Sequence, residues 1–121
     1  MSRFLMVLFV STVLFGQVAA HESSREVITT SLTEGGKPVR LELLISKPSG
    51  PGPFPTVIFN HGSTGRGDNP DLFRRSWSSQ TVSKYFVDKG WMVIYPQRRG
   101  RGGSDGLYDE GFEPDRSRYT C

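Results

Sequence analysis

Two continuous apolar runs constrain this chain most: Thr56 to Phe59 (TVIF) and Trp91 to Tyr95 (WMVIY). A run that is apolar at nearly every position, and too short for a helix, suits a strand buried on both faces, as in parallel sheets. Parallel neighbours need a crossover connection, and the residues between the runs supply one. Ser76 to Lys89 reads as a helix, because Val82, Tyr85 and Phe86 fall at i, i+3 and i+4 and give it one apolar face. Gly90 is placed to close that helix at its C-terminus. Asn60 to Asp71 (NHGSTGRGDNPD) is a loop by composition. Strand, loop, helix and strand in this order predict a right-handed βαβ unit.

Upstream, the patterning changes. Glu26 to Ser31 (EVITTS) is rich in β-branched residues and predicts a strand. Glu34 to Lys37 (EGGK) predicts a turn. Val39 to Ser46 (VRLELLIS) alternates at first, with Val39, Leu41 and Leu43 on an apolar face and Arg40 and Glu42 on a polar one. That is the pattern of a half-buried strand, and the short connection predicts an antiparallel pair. Lys47 to Pro55 (KPSGPGPFP) carries four prolines and two glycines and cannot be helix or strand interior. Strong patterning resumes directly after it, so it reads as a tight connector rather than a domain linker. Residues 21–25 are polar and read as loose.

The first twenty residues read as a signal peptide. Arg3 gives the positive start, Phe4 to Phe15 the apolar stretch, and Val18-Ala19-Ala20 the small residues that signal peptidase needs, so cleavage is expected before His21. About a dozen apolar residues fall short of a bilayer-spanning helix. The expectation is therefore an exported protein, periplasmic or secreted, with no stable membrane span after cleavage. Residues 21–121 then form one small domain with a modest core. The net charge of +3 is too small for a nucleic-acid footprint. The cluster Arg98, Arg99 and Arg101 lies in a Gly-rich loop without interleaved aromatics, so nucleic acid is excluded as a partner. Cys121 is the single cysteine, and His21 and His61 lack ligand spacing, so no disulfide or metal site can be built within the chain. Nothing calls for a cofactor.

The chemistry centres on His61-Gly62-Ser63, directly after a buried strand. Small residues there let the backbone approach a ligand closely, and backbone N–H groups in such a turn can face a developing oxyanion. The stretch PGPFPTVIFNHGSTG, the helix ending DKGWMVIYPQRRG and the loop RGRGGSDG, in that order, resemble the α/β-hydrolase superfamily, most nearly its dienelactone-hydrolase-like and prolyl-oligopeptidase-like (S9) branches. The resemblance covers residues 26 to about 108. It implies the α/β class and the N-terminal part of an α/β-hydrolase fold: antiparallel first strands, then a βαβ unit of a mostly parallel sheet. It also implies an oxyanion-hole turn at His61, Gly62 and Ser63, with the Ser63 backbone N–H as donor. A partner donor would follow a nucleophile elsewhere. In that family the catalytic histidine follows the nucleophile along the chain, so His61 reads as fixing the turn rather than as the base.

Two matches carry less. Gly102-Gly103-Ser104-Asp105-Gly106 satisfies G-x-S-x-G, but the motif needs a sharp turn between a strand and a helix. Here Pro96 to Arg101 separates Ser104 from the strand, and LYDEGFEPD beyond it shows no helix face. The loop reads as a turn, with Arg99 or Arg101 available for salt bridges. Arg66-Gly67-Asp68 is a tripeptide expected by chance in a glycine-rich chain. The functional expectation is thus an N-terminal fragment of an exported serine hydrolase, acting on a small-molecule ester or a peptide bond, inactive by itself for want of a nucleophile and triad. The alternatives are a small exported non-catalytic binding domain and a truncated gene product. Substrate and oligomeric state leave no mark in the sequence.

Overall fold

A computed structural model describes residues 20–62 and 70–106 of the chain. Four strands and two helices succeed one another: β1 (His21–Glu34), β2 (Lys37–Pro48), β3 (Thr56–Ile58), α1 (Pro70–Arg74), α2 (Gln80–Val87) and β4 (Met92–Pro96). The strands form one sheet in the order β1-β2-β4-β3. β1 and β2 are antiparallel, β2 and β4 are antiparallel, and only β3 and β4 run parallel.

This corrects the expected fold class. The structure is mostly β, with a mixed sheet and a single helix longer than five residues, rather than an α/β unit built on a mostly parallel sheet. The physical reason is the hairpin. β1 and β2 are 14 and 12 residues long, whereas β3 is only 3 and β4 only 5. The polar residues 21–25, which carry no strand signal of their own, pair in register with β2 from His21↔Pro48 to Arg25↔Leu44. A backbone edge orders them, and backbone pairing is blind to side-chain polarity. Gly35 and Gly36 make the connection at φ 58 and 76, a conformation that glycine adopts without a Cβ penalty. β1 keeps a register irregularity between Thr29 and Thr33, and Val27 and Ile28 stay exposed on this outer strand.

Local signals set the ends of α2. Ser79 is its N-cap, with its hydroxyl accepting from the Val82 N–H, so the helix starts at Gln80 rather than Ser76. At the other end Gly90 takes φ 82, and its N–H bonds to the Val87 carbonyl. The buried side chains of α2 are Ser83 and Val87, and Tyr85, expected on the apolar face, is 57 % exposed. The face turns because Ser83 is pulled inward by a 2.8 Å hydrogen bond between its hydroxyl and that of Tyr95. α1 lies where the sequence reads as the last residues of a loop and the segment after it.

α2 packs against β2 and β4. On that side of the sheet Val87, Val93 and Tyr95 are fully buried, each burial contributing about 1.5–3 kcal/mol. Between them stand buried polar groups, Glu42, Ser83 and Gln97 among them. Glu42 overturns the expected alternation of β2: it is 1 % exposed, whereas Leu41 and Leu43 are only half-buried. No described helix is long and apolar enough to cross a membrane. The expected leader at 1–20 lies outside the described residues but for Ala20.

Candidate functional site

The parallel strands β3 and β4 end side by side, joined by the Phe59 N–H to the Ile94 carbonyl at 2.9 Å. The turn predicted to carry chemistry begins two residues later. His61 is buried, 5 % exposed, and its Nδ1 lies 2.9 Å from the Gly62 carbonyl oxygen. A carbonyl can only accept, so Nδ1 is the donor in this contact. Nε2 is buried and has no hydrogen-bond partner among the described residues. The imidazole meets Trp77 edge-on, with ring centroids 6.2 Å apart. Gly62 is exposed, and a Cβ built there would meet nothing within 4 Å. Ser63, named for its backbone N–H, lies outside the described residues, as do Arg66-Gly67-Asp68 and Cys121.

Behind His61 stands an aromatic wall. Phe59 stacks on Trp77 at 5.7 Å, and Trp77 meets Tyr95 edge-on at the same separation. Gln97, at the end of β4 and fully buried, holds Trp77 by its backbone: Oε1 accepts from the Trp77 N–H at 2.7 Å, and Nε2 donates to the Trp77 carbonyl at 2.9 Å. Nε2 also donates to the Tyr95 carbonyl at 3.1 Å. This one carboxamide therefore links the end of β4 to the ring beside His61. Gln97 is a residue that the sequence reading missed. A lone glutamine after an apolar run has no local signature.

The loop after β4 is pinned to β2 by a second buried polar group. The Glu42 carboxylate accepts from Ser76 Oγ and from the Gly103 N–H, both at 2.6 Å through Oε2. Its Oε1 lies 2.8 Å from Arg25 Nε, a charge contact without hydrogen-bond alignment. Gly102 takes φ +56 and tolerates no side chain, since a Cβ would lie 2.5 Å from Glu42 Oε2 and 2.7 Å from Ser76 Oγ. Ser104 is spent on structure. Its hydroxyl donates to the Gln97 carbonyl and accepts from the Glu42 N–H, both at 2.9 Å. A hydroxyl so engaged, with no histidine among its partners, lacks the base that activates a nucleophilic serine.

The basic residues of this loop have separate contacts. Arg99 Nη1 comes within 3.9 Å of Glu34 Oε2, and Arg101 is buried with its guanidinium over the Phe73 ring at 5.1 Å. Asp105 and Arg40 form a forked pair at 2.8 and 3.1 Å. The Arg40 guanidinium holds the Asp105 carboxyl below its usual range, and Asp105 in turn raises Arg40. Among the described residues no group of three or more His, Cys, Asp or Glu side chains could hold a metal ion.

Compared with known proteins, the chain matches no family model, and no curated protein is significantly similar to it.

Proposed function

We infer that this chain carries the oxyanion-side turn of an exported serine hydrolase acting on carboxylic esters or peptide bonds. The observation that supports the reading is the His61 contact: a buried imidazole whose Nδ1–H holds the Gly62 carbonyl. Fixing a carbonyl oxygen fixes the plane of its peptide, and the N–H of that same peptide, belonging to Ser63, is the candidate donor to a tetrahedral oxyanion. In this role His61 is a positioning residue, and the exposed Gly62 leaves room for the reacting carbonyl to approach. The reading rests on the turn and not on the fold class. The attacking serine, its base and the acid are not assigned to described residues, and Ser104 is not the nucleophile of this proposal.

The test is an ester assay on the protein expressed from its complete reading frame. Hydrolysis of p-nitrophenyl acetate through a fluorophosphonate-reactive serine is expected. Ser63→Pro removes one backbone N–H and is expected to lower kcat about 10²–10³-fold with little change in KM. A folded Ser63→Pro protein with unaltered kcat, or the absence of any reactive serine, would refute the proposal. Labelling of Ser104 by the same probe would also count against it.

A further inference from the structure

β1 is an outer strand of the sheet, and no described strand pairs with its far edge. Alternate N–H and C=O groups of such an edge point away from the sheet and can pair with another strand. Native edges are commonly blunted by proline or lysine, and β1 contains neither. From Val27 to Thr33 no residue is charged, and the β-branched Val27 and Ile28 are 55 % and 44 % exposed. Regular pairing of β1 with β2 runs from His21 to Thr29, so this apolar pair lies on the straight part of the edge.

The order of residues along β1 selects its partner. Two copies joined antiparallel about a two-fold axis normal to the sheet set the residue on the axis against itself and its neighbours against one another symmetrically. An axis at Glu22, Arg25 or Glu26 sets like charges face to face, and one at Ser24 sets Glu22 against Glu26. Like charges directly opposite are destabilising. An axis at Ser23 engages neither Val27 nor Ile28 within β1, and one at Val27 sets Glu26 against Ile28. An axis from Thr29 onward falls on the register irregularity. At Ile28 these conflicts vanish: Ile28 meets Ile28, Val27 meets Thr29, Glu26 meets Thr30 and Arg25 meets Ser31. Facing β-branched side chains are favourable cross-strand neighbours.

The face of the sheet agrees with this register. Ile28 stands opposite Leu41, and Leu43 and Ile45 project from the same side of β2, all three half-buried. An axis normal to the sheet keeps that side common to both copies, so an Ile28 pair at the seam continues the apolar row from one copy into the next. We propose that β1 is a docking edge for a second copy of this chain, the two four-stranded sheets joining antiparallel about an axis at Ile28. The dimer needs nothing from the His61 turn, and its test needs no catalytic activity.

Sedimentation velocity of the full chain over a wide range of concentration is expected to show a reversible monomer–dimer equilibrium. Ile28→Lys, at an exposed position, sets two ammonium groups together on the axis and is expected to raise the dimer dissociation constant about tenfold or more. Val27→Lys faces Thr29 instead and is expected to weaken the dimer less. Mixing Ile28→Lys with Ile28→Glu sets opposite charges on the axis and is expected to restore a dimer that neither variant forms alone. Should a variant fail to fold, hydrogen exchange on the wild type carries the test: outward-facing amides within 27–29 are expected to exchange more slowly as concentration rises. A monomer at every concentration, or a dimer indifferent to Ile28→Lys, would overturn the assignment. So would a dimer lost to Ile58→Lys on β3 instead, failure of the mixed variants to pair, or exchange at 27–29 that ignores concentration.

Discussion

Glu42→Ala is the most telling perturbation of this structure. The Glu42 carboxylate is 1 % exposed and accepts two charge-assisted hydrogen bonds at 2.6 Å, from Ser76 Oγ and the Gly103 N–H. Bonds of that kind contribute about 1.5–3 kcal/mol each. Relief of the buried charge offsets part of their loss, while the cavity and the stranded donors add to it, so the net cost is expected at about 3–5 kcal/mol. The ion pair with Arg25 adds little, because the Arg25 side chain is 65 % exposed and an exposed pair is worth about 0–1 kcal/mol. The two variants therefore separate hydrogen-bond anchoring from ion pairing. Urea unfolding followed by tryptophan fluorescence, with Trp77 beside the affected Ser76, measures both. Against a total stability of roughly 5 kcal/mol for a small domain, Glu42→Ala is expected to keep no more than about 2 kcal/mol and to unfold at low urea, whereas Arg25→Ala remains near wild type. Glu42→Gln, which keeps one acceptor oxygen, is expected to fall between them. Equal losses for Arg25→Ala and Glu42→Ala would refute the reasoning, because the carboxylate would then act through its exposed partner.

Three further outcomes follow from the same geometry. Gln97→Leu leaves the Trp77 N–H and carbonyl without their 2.7 and 2.9 Å partners and is expected to cost about 2–4 kcal/mol, with a red shift of Trp77 emission in the folded protein. Gly102→Ala is expected to destabilise far more than Gly35→Ala: both positions have positive φ, costing about 1–2 kcal/mol for a non-glycine residue, but only at Gly102 does the new Cβ strike Glu42 and Ser76. Thermal melts of the two variants decide it. The Asp105 carboxyl is lowered by Arg40, so its stabilisation is fully present above the unfolded carboxylate range near pH 4 and is lost as pH falls through the lower folded value. Asp105→Asn is expected to flatten that acid limb of the stability–pH curve, and an unchanged limb would show that the exposed pair contributes nothing.

The lesson for reading such a chain lies in which features are local. The runs TVIF and WMVIY supply the strands β3 and β4, being nearly all apolar and too short for helices, but β3 lies at the edge of the described sheet with Ile58 61 % exposed instead of being buried on both faces. Ser79 and Gly90 act through their own hydroxyl and their own φ, so the helix ends they set need no distant partner, although Ser76 to Ser78 read as helix until the cap at Ser79 places the start.

What sequence patterning could not determine depends on groups far apart in the chain. Residues 21–25 carry no strand signal, yet they lengthen β1 because β2 offers them a backbone edge, and that long hairpin makes the sheet mostly antiparallel instead of mostly parallel. Glu42 looks solvent-facing by alternation and is buried because Ser76 and Gly103, 34 and 61 residues away, converge on its carboxylate. Gln97 and Trp77, 20 residues apart, meet in the same way. Periodicity reports only which side of an element a residue faces. Whether a polar side chain on that side meets water or a set of donors is decided by the tertiary structure, since a buried carboxylate is tolerated only where distant groups have already been brought to it.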